Sequence, residues 1–123
     1  CSTLYNNGYG PHGIHGIADR QVTWIHNVMN MDAIMCLDDI ECKKGLQLLT
    51  EEAGWNTLVK RFGAPRESVE KMATIFGISG VCNVLGAIKT AKYYEFGARD
   101  FVFVPLTVGM VIMSAPAISL LFE

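Results

Sequence analysis

The C-terminal run of residues 101–122 contains no charged side chain, and this run constrains the possible folds more than any other feature of the sequence. As a helix rising about 1.5 Å per residue, it is long enough to cross a bilayer core. However, Pro105, Gly109 and Pro116 interrupt it, and no Lys or Arg lies within the last twenty residues to set a membrane topology. The run fits either a membrane anchor or a buried strand followed by a disordered or degenerate tail, and we expect the strand.

The overall composition describes a globular chain. Hydrophobic residues make up 50% of the 123 residues and charged residues 18%, a balance that excludes intrinsic disorder. The length is enough for one ordinary domain. The formal net charge of -2 lacks the basic excess of a nucleic-acid-binding surface, so we expect no nucleic-acid partner. So much apolar material in a small chain suggests a partner, a membrane or a larger parent domain.

The cysteines are candidates for disulfide bonds, and the cysteines and histidines are candidates for metal binding. Four cysteines without a Cys-x-x-Cys pair are few for a disulfide scaffold, so we predict reduced thiols in a cytoplasmic protein. A lipid-modified Cys1 is the alternative. Cys82 is either a reactive thiol near a helix N-terminus or a small buried side chain, and we expect the latter. The spacing of His12, His15 and His26 suits no standard zinc pattern, so we expect no metal site.

Local patterns predict alternating helices and strands. Glycines at 54, 63 and 97 are expected to end helices, and Ser79 to act as the N-cap of another. The predicted elements are a strand at 32–37, helices at 40–53, 55–62, 65–76 and 81–95, and a strand at 101–104. Short apolar strands between helices indicate an α/β fold, in which 101–104 pairs beside 32–37 in a parallel sheet buried on both faces.

The loop Gly77-Ile78-Ser79-Gly80 precedes the most apolar helix. Glycines at a helix N-terminus allow backbone N–H groups to approach an anion or an aromatic nitrogen heterocycle. The simpler interpretation is a capped helix start without a ligand. The loop by itself leaves both interpretations open.

Three blocks in order resemble the C-terminal part of fold-type II pyridoxal-phosphate enzymes, the cysteine synthase and tryptophan synthase β superfamily. They are 15–19 (His-Gly-Ile-Ala-Asp), 77–80 with the helix that follows it, and 101–109, which resembles the last sheet strand and its turn. Within this superfamily, the sequence of residues 19–27 and 31–32 most resembles a subgroup of cysteine-synthase-like, pyridoxal-phosphate-dependent proteins. The resemblance covers about residues 5–109.

The resemblance implies a fold, a cofactor and a site. Residues 1–109 would be the C-terminal portion of a catalytic domain with a three-layer, parallel-sheet architecture, and residues 110–123 an apolar tail of unknown role. Ser79 would contact the pyridine nitrogen of pyridoxal 5'-phosphate, between Gly77 and Gly80. The parent would be a cytoplasmic homo-oligomer catalysing β-elimination or β-replacement on an amino-acid substrate.

The chain also departs from the family. The family's Schiff-base lysine, substrate-carboxylate loop and phosphate-binding glycine loop lie upstream of the matched region, and the six lysines here read as solvated helix faces. Val108 stands where the family has Asp or Ser. We therefore expect the chain to be a fragment that contributes no catalytic residue and is inactive alone. The alternative is a non-catalytic interaction or membrane-tethered domain that uses residues 101–122.

Overall fold

The computed structural model describes residues 4–6, 11–14, 22, 25–106 and 109–114, with only the backbone described for 109–114. These residues form helices and one two-stranded antiparallel sheet, so both α and β structure are present. The elements are a short 3₁₀ helix Val28–Asn30, α1 Asp39–Thr50, α2 Glu52–Phe62, α3 Arg66–Ile75, α4 Ile78–Tyr93, β1 Phe101–Leu106 and β2 Gly109–Ser114.

Helices α1 and α2 meet at a single residue. The Asp38 carboxylate caps α1 by accepting a hydrogen bond of 2.7 Å from the Ile40 N–H. Glu51 ends α1 and also precedes α2. The prediction that Gly54 closes the first helix is wrong, because Gly54 lies inside α2. A Cβ at Gly54 would overlap the backbone of Leu48, so glycine allows the two helices to turn this tightly.

The end of α2 follows the sequence prediction. Gly63 adopts φ 68°, the left-handed conformation that glycine reaches without a steric penalty, and its N–H donates to the Val59 carbonyl at 3.1 Å. The sequence predicts Pro65 as the first residue of the next helix, whereas it is the N-cap of α3, which begins one residue later at Arg66. The Arg66 guanidinium lies 5.0 Å from the Trp55 ring centroid, which joins the start of α3 to α2.

Helix α4 is the central element of the described fold, because it contacts both α1 and β1. It begins at Ile78 with Gly77 as its N-cap, so the prediction that Ser79 caps a helix starting at Val81 is wrong. The Gly77 carbonyl accepts the Val81 N–H at 3.0 Å, and this bond extends the helix over Ser79. Ser79 therefore lies in the first turn rather than at the cap.

The predicted strand arrangement is wrong in two respects. Residues 32–37 contain no strand, and β1 pairs instead with β2, antiparallel, from Phe101 opposite Ser114 to Leu106 opposite Gly109. Pairing with the segment that follows directly costs less loop-closure entropy than pairing across the helices. The predicted burial of β1 on both faces is not found, since Phe101 and Phe103 are exposed while Val104 and Leu106 are buried.

The buried side chains of the described residues form small clusters around α4. Ile14, Cys42 and Cys82 make one cluster between the N-terminal segment, α1 and α4. Ala87 packs with Val104 and Leu106 of β1 in a second. The remaining cluster contains Ile88 and Ala91 on the C-terminal half of α4. The side of α4 that faces β1 is thus adjacent to the side that faces α1.

No single helix of the described residues is long and apolar enough to span a membrane. Helices α3 and α4 reach the required length and apolarity only as a pair bent by 113°. Within the charge-free run, residues 101–106 and 109–114 form strands rather than a helix. The remainder of the run, including Val108 and residues 115–122, lies outside the described residues.

Candidate functional site

The predicted site residues lie at the N-terminus of α4. Ser79 is 7% exposed, and among the described residues it is the one polar or charged residue that is buried. The N-cap residue Gly77 has no side chain to form a capping hydrogen bond, so the first-turn N–H groups keep the partial positive charge of a helix N-terminus. A small buried hydroxyl therefore lies in an electropositive first turn.

The two glycines around Ser79 have different surroundings. A Cβ at Gly80 would lie 3.2 Å from Leu106 Cδ2 and 3.3 Å from Phe76 Cδ1, so glycine allows β1 and the end of α3 to pack closely on the helix. A Cβ at Gly77 would meet nothing within 4 Å. The structure thus brings the three predicted residues together in one turn, with an open side at Gly77 and an enclosed side at Gly80.

Asn83 fixes the position of β1 relative to this turn. Its Nδ2 donates a hydrogen bond of 2.7 Å to the Pro105 carbonyl oxygen. This bond joins α4 to β1 one turn beyond Ser79. This role of Asn83 could not be predicted, because an asparagine in a helix gives no sign of a partner that is distant along the chain.

A second polar cluster lies where the N-terminal segment meets α1. The Gly13 N–H donates to Asp39 Oδ2 at 2.8 Å, and this bond lowers the pKa of the Asp39 carboxyl. His12 Nδ1 accepts the Ile14 N–H at 3.3 Å, whereas His12 Nε2 is buried without a protein partner. These bonds hold Ile14 in the cluster with Cys42. This long-range contact of Asp39 could not be predicted from the sequence, because Gly13 is distant along the chain.

The histidines and cysteines are the residues of this chain that could bind a transition metal. His15 lies outside the described residues, and His26 is exposed. Across the part of the chain that the structure describes, no group of three or more His, Cys, Asp and Glu side chains could hold a metal ion. Cys82 is 6% exposed, which confirms the expectation of a small buried side chain.

Pyridoxal phosphate binds to its enzymes through a lysine, so the environment of each lysine bears on whether this chain could hold the cofactor. All six are exposed, which confirms that they lie on solvated helix faces: Lys43, Lys44, Lys60, Lys71, Lys89 and Lys92. Lys44 pairs with Glu41 at 2.7 Å, and Lys89 Nζ donates to the Cys36 carbonyl at 2.6 Å. Because all of them are exposed, no described lysine suits the aldehyde end of the cofactor.

Comparison of the chain with protein-family models, with curated proteins and with solved structures finds no match. Of the three blocks that carry the resemblance, 15–19 lies outside the described residues, 77–80 forms the start of α4, and 101–106 forms β1. Only the second and part of the third therefore have a described geometry.

Proposed function

We propose that this chain is the C-terminal portion of a pyridoxal-phosphate-dependent enzyme of fold type II, acting by β-elimination or β-replacement on an amino acid. The observation that carries the proposal is Ser79, a buried hydroxyl in the first turn of a helix without a side-chain cap, between Gly77 and Gly80. A Cβ at Gly77 would meet nothing within 4 Å, which leaves room for a pyridine ring beside this turn.

Ser79 determines the chemistry in this proposal. When bound, the cofactor supplies an electron sink for the carbanion that forms on the amino acid. A neutral hydroxyl at the pyridine nitrogen does not keep that nitrogen protonated, so the sink is moderate and favours elimination over transamination. Gly80 keeps the helix start close to β1, and Asn83 maintains that spacing through the Pro105 carbonyl.

The fold of the parent is part of the same proposal. A three-layer domain with a parallel sheet requires β1 to be covered on both faces. β1 has apolar residues on both faces: Val104 is buried against α4, whereas Phe101 is 62% and Phe103 63% exposed. In the parent, a second layer would cover these two phenylalanines. The lysine that binds the cofactor would come from the rest of a cytoplasmic, homo-oligomeric enzyme, and residues 1–123 alone would be inactive.

Binding of a cofactor analogue that cannot form a Schiff base tests the site on this chain directly. We would titrate the full chain with 4'-deoxypyridoxine 5'-phosphate to millimolar concentration and follow the backbone amide resonances. We expect shifts at residues 77–81 that are lost in Ser79→Ala and retained in Ser68→Ala, which removes an exposed serine of α3. Equal shifts in both variants, or shifts confined to the lysine-bearing faces, would contradict the proposal.

The exposed phenylalanines also support a second candidate, a non-catalytic interaction or membrane-tethered domain. Phe101 and Phe103 form an apolar strip on the outer face of β1. Under this alternative, Phe101→Ser combined with Phe103→Ser abolishes binding to neutral lipid vesicles or self-association. The analogue titration at residues 77–81 then shows no effect.

A further inference from the structure

Two cysteines from different helices lie side by side in the core. Cys42 of α1 is 0% exposed and Cys82 of α4 is 6% exposed, and both belong to the buried cluster that includes Ile14. Burial raises the pKa of the Cys42 thiol, and the neighbouring Cys82 thiol raises it further. Both are free thiols. The two side chains therefore lie in one buried cluster at the α1–α4 interface, although they are forty positions apart in the sequence.

The helix backbones approach closely at the same place. A Cβ at Gly45 would lie 2.7 Å from Val81 Cγ1. Gly45 is one turn beyond Cys42 on the same side of α1, and Val81 directly precedes Cys82. A disulfide requires Cα atoms within about 7 Å of each other. The missing side chain at residue 45 permits the close helix approach that this requirement demands.

We propose that Cys42 and Cys82 form a reversible disulfide that covalently joins α1 to the N-terminal part of α4. The oxidant is a low-molecular-weight disulfide, R–S–S–R. One protein thiolate attacks it and releases R–S⁻, and the second thiolate then attacks the mixed disulfide and releases another R–S⁻. Two S–H bonds are lost, one S–S bond forms, and the two electrons and two protons leave on two R–SH molecules.

The surroundings determine when this reaction occurs. Burial, reinforced by the neighbouring Cys82 thiol, raises the pKa of the Cys42 thiol to about 12, so Cys42 carries little thiolate in the closed core. Exchange therefore depends on transient opening of the α1–α4 interface. Once formed, the disulfide closes a loop between residues 42 and 82. The closed loop lowers the conformational entropy of the unfolded chain and so raises the thermal midpoint of unfolding.

The experiment uses the full chain with Cys1→Ser, which leaves Cys36, Cys42 and Cys82. The protein is incubated with excess oxidised glutathione until its thiol count is constant, and is then unfolded, alkylated and cleaved after glutamate. Cleavage after Glu41 separates Cys36 from Cys42. We expect a cross-linked pair of Cys42 and Cys82 peptides, a mass loss of two hydrogen atoms, an alkylated Cys36, and a raised thermal midpoint that dithiothreitol reverses.

Matched variants complete the test. Cys36→Ser removes a half-buried cysteine outside the cluster and should leave the cross-link intact, whereas Cys82→Ser should abolish it. The helical circular dichroism of each variant is checked before oxidation. The peptide map of the cysteine-containing chain does not depend on how Cys82→Ser folds. Full alkylation of Cys42 and Cys82 after oxidation, glutathionylation without a cross-link, or a cross-link to Cys36 would overturn the proposal.

Discussion

A methyl group on Gly45 would lie 2.7 Å from Val81 Cγ1, so α1 reaches its observed distance from α4 only because residue 45 lacks a side chain. A real Cβ atom essentially never lies this close to another heavy atom. Val81 is itself buried, with 5% of its surface exposed. A Cβ at residue 45 would therefore require Val81 or one of the two helices to move. The same interface contains Cys42 and Cys82, which makes the Gly45–Val81 contact central to packing around α4.

Gly45→Ala should destabilise the fold. We expect a loss of about 1–3 kcal/mol in the free energy of unfolding from overpacking, partly offset by the better helix propensity of alanine. Gly86→Ala is the matched control, since its Cβ would lie 3.4 Å from Leu37 Cδ1, close to ordinary contact. That variant should be neutral or up to about 1 kcal/mol more stable. Urea unfolding measures both, and equal effects would show that the interface can yield.

Asp39 should make stability depend on pH. The Gly13 N–H holds the pKa of the Asp39 carboxyl below its ordinary value of 3.8, so the ionised form favours the folded state. This contribution is present above the unfolded pKa and is lost as pH falls through the lower folded pKa. The thermal midpoint difference between the natural chain and Asp39→Ala should therefore be largest above about pH 5 and should shrink below about pH 3.

Asp39→Asn separates the charge from the hydrogen bond in that experiment. Its amide oxygen can still accept the Gly13 N–H, so part of the stability should remain without this pH dependence. Asp32→Ala, which removes an exposed aspartate, is the control for a general change in net charge. If Asp39→Ala and Asp32→Ala follow the same curve, the Gly13–Asp39 bond does not stabilise the fold.

Ser79→Asp should change the reaction of a longer enzyme that contains this segment together with a cofactor-binding lysine. A carboxylate at the pyridine nitrogen favours its protonation and strengthens the electron sink. Transamination products should then rise relative to elimination products. Product partition and the absorbance of the bound cofactor measure the effect, with Ser68→Asp as the control. Unchanged spectra and partition would show that Ser79 does not contact the ring.

Removal of residues 110–123 should leave the helices folded. The deletion takes away most of β2, but β1 remains attached to α4 through Val104, Leu106 and the Asn83–Pro105 hydrogen bond. Solubility should rise, because the deletion removes an apolar segment, and an apolar side chain left in water forgoes roughly 1.5–3 kcal/mol of burial. Circular dichroism at helical wavelengths and sedimentation measure the two outcomes. Loss of the helical signal would mean that β2 is required by the core.

Much of the helical framework is predictable because helix ends depend on local chemistry. Gly63 ends α2 because glycine reaches φ 68° without a steric penalty, and Pro65 precedes α3 because its fixed φ and missing N–H suit a helix start. The candidate site is placed at the start of the most apolar helix by the resemblance to fold-type II pyridoxal-phosphate enzymes, because the loop by itself leaves both interpretations open. The cap was misplaced from Gly77 to Ser79, since a serine and a glycine are both favourable N-caps.

Other features depend on residues that are distant along the chain. The sequence by itself determined the apolar character of β1, whereas the tertiary structure decided that β1 pairs with β2 and buries Val104 against α4. It also decided that Gly45 lies against Val81 and that Cys42 lies beside Cys82. Local preferences act through backbone torsions and neighbouring hydrogen bonds. Contacts between helices arise only when whole apolar faces are buried together, and no single residue's preference encodes that choice.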